Sequence, residues 1–237
     1  MAIDLNKPRY DFNDLNDILS VLLGENGCPW DRAQTHESVM TCLIEECYEV
    51  IDAVEKNDKA ALREELGDVL LQVVFNAKLA ENTGSFSIAE VIDGISRKMI
   101  GRHTHIFGAG EAETPDAVLD LWERNKRKEK GYQTASESIA RIPKAFPALM
   151  RAAKAQKKAA EAGFEAKTLR QTLDETLLSL ENLKRATESE KADRYGDFLL
   201  KSAHISCFLK INPELALTNA LETYINKFED FESASEK

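Results

Sequence analysis

Residues 43–70 read LIEECYEVIDAVEKNDKAALREELGDVL, and two clusters of acid inside this run decide how the chain folds. Glu45-Glu46-x-x-Glu49 and Glu65-x-x-Asp68 space their carboxylates three or four residues apart, the repeat of one helix face. Leu43, Ile44, Val50, Ile51, Leu62, Leu66, Val69 and Leu70 around them are the residues of helices packed into a core. Like charges stacked at that spacing repel, and more strongly when partly buried. Converging carboxylates therefore need a cation to offset them. Donors that are all oxygen select a hard one, Mg²⁺ or alternatively Mn²⁺. A lone acidic pair on a helix is commonly just a solvated face. Here the acids interrupt apolar helices and stand on two neighbours joined by a short turn at Asn57-Asp58, hence expected to run antiparallel. A di-iron bundle would carry Glu-x-x-His on its helices, and the chain has no such tetrad.

Outward from this run, helical spacing covers nearly the whole sequence. Tyr10–Leu23 precedes a break at Gly24–Pro29 and a turn at Cys28-Pro29-Trp30-Asp31. Helices are predicted over His36–Lys56, Lys59–Asn82, Ser87–Ile100 and Asp116–Lys130, with a loop at Gly101–Pro115. Residues 131–147, with two prolines and several turn residues, form the expected linker between a domain at 1–130 and another at 148–237. The second domain is read as helices over Leu149–Ala162, Leu169–Thr187, Ala192–Leu209 and Pro213–Phe231. No strand pattern of useful length occurs, so the fold class is all-α.

Composition narrows the function. The 237 residues include only 11 Gly and 6 Pro, in keeping with helix, and carry a net charge of −10. Residues 1–130 hold 15 Lys/Arg against 25 Asp/Glu, whereas residues 131–237 hold 16 of each, so the whole imbalance lies in the half with the acidic run. A nucleic-acid polymer is an unsuitable partner for such a surface. No apolar stretch has the length of a membrane span, and the first residues lack the pattern of a signal peptide. Cys28, Cys42, Cys47 and Cys207 show no metal spacing and read as reduced thiols of a cytoplasmic protein.

Sliding the chain against itself by 129 positions places Glu45-Glu46 on Asp174-Glu175 and Gly67-Asp68-Val69-Leu70-Leu71 on Gly196-Asp197-Phe198-Leu199-Leu200. Similar amphipathic helices align by chance to some degree, but one ungapped offset serving both segments favours a duplication. In the second copy Glu49 is replaced by Leu178 and Glu65 by Arg194, so a divalent ion should bind poorly there and any activity belongs to the first half.

Four residues supply the opposite charge and an aromatic. Lys98 and Arg102, spaced i, i+4, can face one way and grip phosphates, Arg in a bidentate fashion; otherwise they are a surface pair. Trp122 and Lys126 repeat the spacing, with an indole able to stack on a base or simply to fill a core. His103-x-His105 has too few further nitrogen or sulfur ligands to make a metal site. Gly67, costly in a helix by about 1 kcal/mol, is read as permitting close backbone approach or tight packing.

These motifs together resemble the all-α nucleoside triphosphate pyrophosphohydrolases. The context Cys28-Pro29-Trp30-Asp31, Glu65-Leu66-Gly67-Asp68, Arg102-His103-x-His105-x-Phe107, Trp122-Glu123-x-x-Lys126 and Ile142-Pro143-x-x-x-Pro147-Ala148-Leu149-Met150-Arg151-Ala152 is similar to MazG proteins in particular. The likeness covers the first 165 residues and continues weakly beyond. It implies a homodimer of two tandem helical-bundle domains, the second degenerate, that hydrolyses nucleoside triphosphates to the monophosphate and diphosphate with Mg²⁺, over a broad substrate range. It implies Glu46, Glu49, Glu65 and Asp68 as metal ligands, with Glu45 orienting or deprotonating the attacking water, so that Glu45, Glu46 and Glu49 form the catalytic group. Lys98, Arg102, Trp122 and Lys126 would contact the nucleotide. One departure from the family matters: in its two-domain members the C-terminal repeat is catalytic, and here that repeat has lost its ligands. The competing hypothesis is a helical module that binds or senses nucleotides without hydrolysing them; a narrower enzyme for deoxy or modified nucleotides differs only in substrate.

Overall fold

A computed structural model describes residues 3–235 as twelve helices with no strand among them, and the chain divides into two units between Asn125 and Lys126. The first unit contains α1 (Phe12–Leu22), α2 (Pro29–Arg32), α3 (Met40–Glu55), α4 (Lys59–Asn82), α5 (Ile88–Arg102), α6 (Thr104–Phe107) and most of α7 (Pro115–Lys130). The second contains the end of α7 with α8 (Ala135–Ala140), α9 (Ala148–Glu161), α10 (Leu169–Lys184), α11 (Lys191–Leu209) and α12 (Pro213–Ser235). The all-α reading holds. The boundary falls inside α7 rather than after residue 130, and the segment read as a linker contains α8, whose first turn is capped by the Thr134 hydroxyl accepting from Glu137 N–H at 3.2 Å.

α4 is the central element of the first unit. Asp58 caps its start by accepting from the Ala60 and Ala61 amides at 2.9 and 3.0 Å, and Gly84, at φ +70°, lets the chain turn away after its end. Its C-terminal half is anchored by Val74, Phe75 and Ala77 in a core with Leu19, Leu23, Val39 and Ile88. The N-terminal half packs on α3. The α3–α4 segments expected to be wholly core are not: Leu43, Val50, Ile51, Leu62 and Val69 are half-buried, while Ile44, Leu66 and Leu70 are exposed, as are Tyr48 and Val73. α4 is apolar on two sides, and only one of them meets α1 and α5.

In the second unit the buried positions of α10 and α11 are small or polar: Thr172, Thr176, Ser179, Ala203, His204 and Ser206. Burial is tolerated because each hydroxyl donates to a carbonyl one turn back on its own helix, Thr176 to Thr172 at 2.7 Å and Ser206 to Ala203 at 2.6 Å. Leu173, Leu177 and Leu180 point outward.

Candidate active site

The turn between α3 and α4 sets the register of the acids. On antiparallel helices, positions equally distant from the turn lie at the same level. Counting from Asn57, Glu49 and Glu65 are each 8 residues away, and Glu46 and Asp68 each 11. Asn57 itself sits at φ +54°, in the left-handed region that asparagine tolerates. Two carboxylates on each helix thus face two on the other.

The side chains follow that register. Glu46, Glu49 and Glu65 each offer a carboxylate oxygen, and these three lie within 4.8 Å of one another. Burial pushes the Glu46 carboxyl above the usual range, a hydrogen bond with Glu49 adds to this, and the charges of Asp68, Glu49 and Glu65 act in the same direction. Burial likewise raises Glu65, helped by the charges of Glu49, Glu64 and Asp68. Asp68 is therefore close enough to be felt, although it is outside the tight trio. Glu45, next to Glu46 in the chain, is exposed on α3. The donors fit a hard divalent cation: all are carboxylate oxygens, three already converge, and their mutual repulsion is what a bound cation relieves.

The basic and aromatic residues are arranged differently from the acids. Lys98 is exposed on α5. Arg102, at the end of α5, lies with its guanidinium carbon 5.2 Å from the centre of the Trp122 ring. His103 meets the same indole edge-on at 4.8 Å and turns its Nδ1 to the Met99 carbonyl at 2.7 Å, so His103 serves this turn. Lys126 is the first residue of the second unit. Gly67 is not tightly packed against other parts of the chain, since a Cβ there meets no atom within 4 Å.

Sequence reasoning missed Asn125 and Thr104. The Asn125 amide donates to the Arg102 carbonyl at 3.2 Å and to the Thr104 hydroxyl at 3.1 Å, tying α7 to the end of α5. The only available signal was the position of Asn125, three residues beyond Trp122 on one face of α7. Besides Arg194, which the repeat alignment shows, the second copy has two lysines at its acids. Glu175, the counterpart of Glu46, accepts from Lys167 at 2.7 Å, and Asp197, the counterpart of Asp68, accepts from Lys201 at 2.5 Å. Arg194, standing where the first copy has Glu65, pairs with Glu190 at 3.7 Å. The second copy carries its own cations where the first gathers carboxylates.

The chain is similar to known proteins over the segment that carries these acids. Residues 34–107, which include every acid of the cradle together with Lys98 and Arg102, match the MazG nucleotide pyrophosphohydrolase domain. The chain is 39% identical over 227 residues to the nucleoside triphosphate pyrophosphohydrolase/pyrophosphatase MazG of Thermotoga maritima, covering 95% of this chain and 87% of that protein. It is 36% identical over 214 residues to the nucleoside triphosphate pyrophosphohydrolase of Escherichia coli K12, covering 88% of this chain and 81% of that protein. With identity at this level across nearly the full length of both proteins, the chain belongs to the MazG family.

Proposed function

We propose that this protein is a Mg²⁺-dependent nucleoside triphosphate pyrophosphohydrolase that converts NTPs to NMPs and diphosphate over a broad range of bases and sugars. The observation that carries this reading is the convergence of Glu46, Glu49 and Glu65 within 4.8 Å, inside the segment that matches the family domain. Glu46, Glu49, Glu65 and Asp68 would hold the cation; Mn²⁺ has the same hard-ligand preference. When bound, such an ion supplies charge neutralisation at the phosphate oxygens and a lowered pKa for water.

The chain's own residues supply the rest. Glu45, exposed on α3 next to Glu46 in the chain, accepts the proton of the water that attacks the α-phosphorus. Lys98 and Arg102 take the charge that builds on the departing diphosphate, the electrostatic help that dominates phosphoryl-type transfer. In this reading the second unit is a decayed copy of the first and has no catalytic role.

Two further proposals accompany the activity. The exposed stripe of Ile44, Tyr48, Leu66, Leu70 and Val73 along α3 and α4 is the kind of surface a second copy covers, which supports a homodimer. The four free cysteines agree with a reducing, cytoplasmic setting, and among the described residues no helix is long and apolar enough to cross a membrane. Incubation with MgCl₂ and a panel of ribo- and deoxynucleoside triphosphates tests the activity by the products. Diphosphate and NMP are expected; orthophosphate with NDP refutes the assignment.

A further inference from the structure

Two protein groups rest against the Trp122 ring. The Arg102 guanidinium carbon stands 5.2 Å from the ring centre, within the range in which a cation is held by an indole, and the His103 ring abuts the same indole at 72°. Asn125, one turn further along α7, clasps the backbone that carries this arginine. Its amide nitrogen donates to the Arg102 carbonyl and to the Thr104 hydroxyl. Thr104 is itself fixed, because its carbonyl accepts from the Gly108 and Gly110 amides at 3.0 Å each. The loop closes on it so tightly that a Cβ on Gly110 would lie 2.6 Å from the Thr104 hydroxyl oxygen. All these contacts lie within the first unit.

We propose that Trp122 and Asn125 are positioning residues that hold the Arg102 guanidinium for the triphosphate, with Trp122 acting as the rest for Arg102 and not as a stacking platform for the nucleobase. The proposal rests on the nucleotide-hydrolase reading above. It makes the site blind to the base at this position: the indole holds the guanidinium carbon, and the group resting on it suits phosphate oxygens.

The experiment measures kcat and KM of the wild type, Trp122→Leu, Asn125→Ala, Asn125→Asp and Arg102→Ala with ATP, GTP, CTP and UTP. Inhibition of each variant by inorganic tripolyphosphate, which has no base, is measured alongside. Asn125→Asp keeps the shape but removes both donated hydrogen bonds, so it stands in if the alanine variant folds poorly. Two lost hydrogen bonds predict a fall of roughly tenfold in kcat/KM. The fall should be equal across the four bases within about twofold, with tripolyphosphate inhibition weakened in parallel, because each extra tenfold of selectivity would need a separate contact to the base. In an Arg102→Ala background Asn125→Ala should add little, since its effect runs through the missing side chain. A loss graded from purine to pyrimidine, unchanged tripolyphosphate inhibition, or full additivity with Arg102→Ala overturns the assignment while leaving the hydrolase reading intact. If the wild type yields no diphosphate from any nucleotide, the hydrolase reading fails and the assignment fails with it.

Discussion

Val74→Ala separates the foundation of the site from its chemistry. Val74 is completely buried in the first unit's core, on the helix that carries Glu65 and Asp68. The substitution removes two methyl groups, for a transfer loss of about 1.6 kcal/mol. A residual void of roughly 40 Å³ at about 24 cal/mol per Å³ adds about 1 kcal/mol, for a total near 2.5 kcal/mol. Both tryptophans, Trp30 and Trp122, belong to the first unit, so indole fluorescence in a urea titration follows that unit alone. With a slope of about 1.5 kcal/mol per molar urea, the midpoint should fall by about 1.7 M with the slope unchanged. Val74 lies six residues beyond Asp68, about 9 Å along the helix axis. The folded variant should therefore keep its turnover at 25 °C within about twofold, because distant sites act independently. A midpoint shift under about 0.5 M would mean that Val74 is not in a close-packed core. A large loss of turnover in the folded variant would mean that the cradle depends on core packing in a way the geometry does not contain.

Other outcomes follow from the charged groups. Glu46 and Glu65 have raised folded-state pKa values, so the ion-free first unit is stabilised below the usual carboxylate range and loses that contribution as pH rises through the shifted values. Adding MgCl₂ at neutral pH should raise the urea midpoint and EDTA should reverse it; an unchanged midpoint in both directions contradicts a cation site. Asp58, held below the usual range by the Ala61 and Ala60 amides, stabilises α4 above its unfolded pKa and ceases to do so as pH falls through the folded one. The fluorescence midpoint of Asp58→Ala should sit below wild type at pH 7, and the gap should close only as pH falls below the usual carboxylate range, through the lowered folded value. In the second unit, burial lowers the pKa of His204, with Lys167 adding to the effect and Glu165 and Glu175 opposing it. Stability conferred by neutral His204 is present above the unfolded value and is lost as pH falls below it. His204→Phe should blunt the acid sensitivity of the tryptophan-silent transition seen by circular dichroism; equal acid sensitivity in the variant contradicts this.

Much of this architecture was legible because local chemistry and tertiary packing agree. Lys59–Asn82 was read with its observed bounds, since Asp58 supplies a cap and Thr83-Gly84 a stop. α3 starts at Met40, four residues later than the His36 that spacing predicts. Thr35 and Ser38 exchange hydrogen bonds between side chain and backbone, which holds residues 36–39 as a turn and delays the helix to Met40. α6 and α8 escaped notice because four- and six-residue helices are too short to show a period. In the site, the acids could be found from sequence because one tight turn converts their spacing into convergence. The union of Arg102 with Trp122 could not, since it depends on how α7 returns to the end of α5, and a single asparagine records that return. The exposed Leu66 and Leu70 defeated the reading for a different reason: hydrophobic pattern specifies which side of a helix avoids water, not whether the same chain covers it.

The most direct test of the central claim, that catalysis belongs to the first cradle, is diphosphate release from a nucleoside triphosphate by the Glu49→Gln and Glu175→Gln proteins in parallel. Glu49 completes the converging trio, whereas Glu175 is already neutralised by Lys167. Abolished release in Glu49→Gln with wild-type release in Glu175→Gln is the predicted result. Full activity in Glu49→Gln with loss in Glu175→Gln would place the chemistry in the second unit and contradict the account.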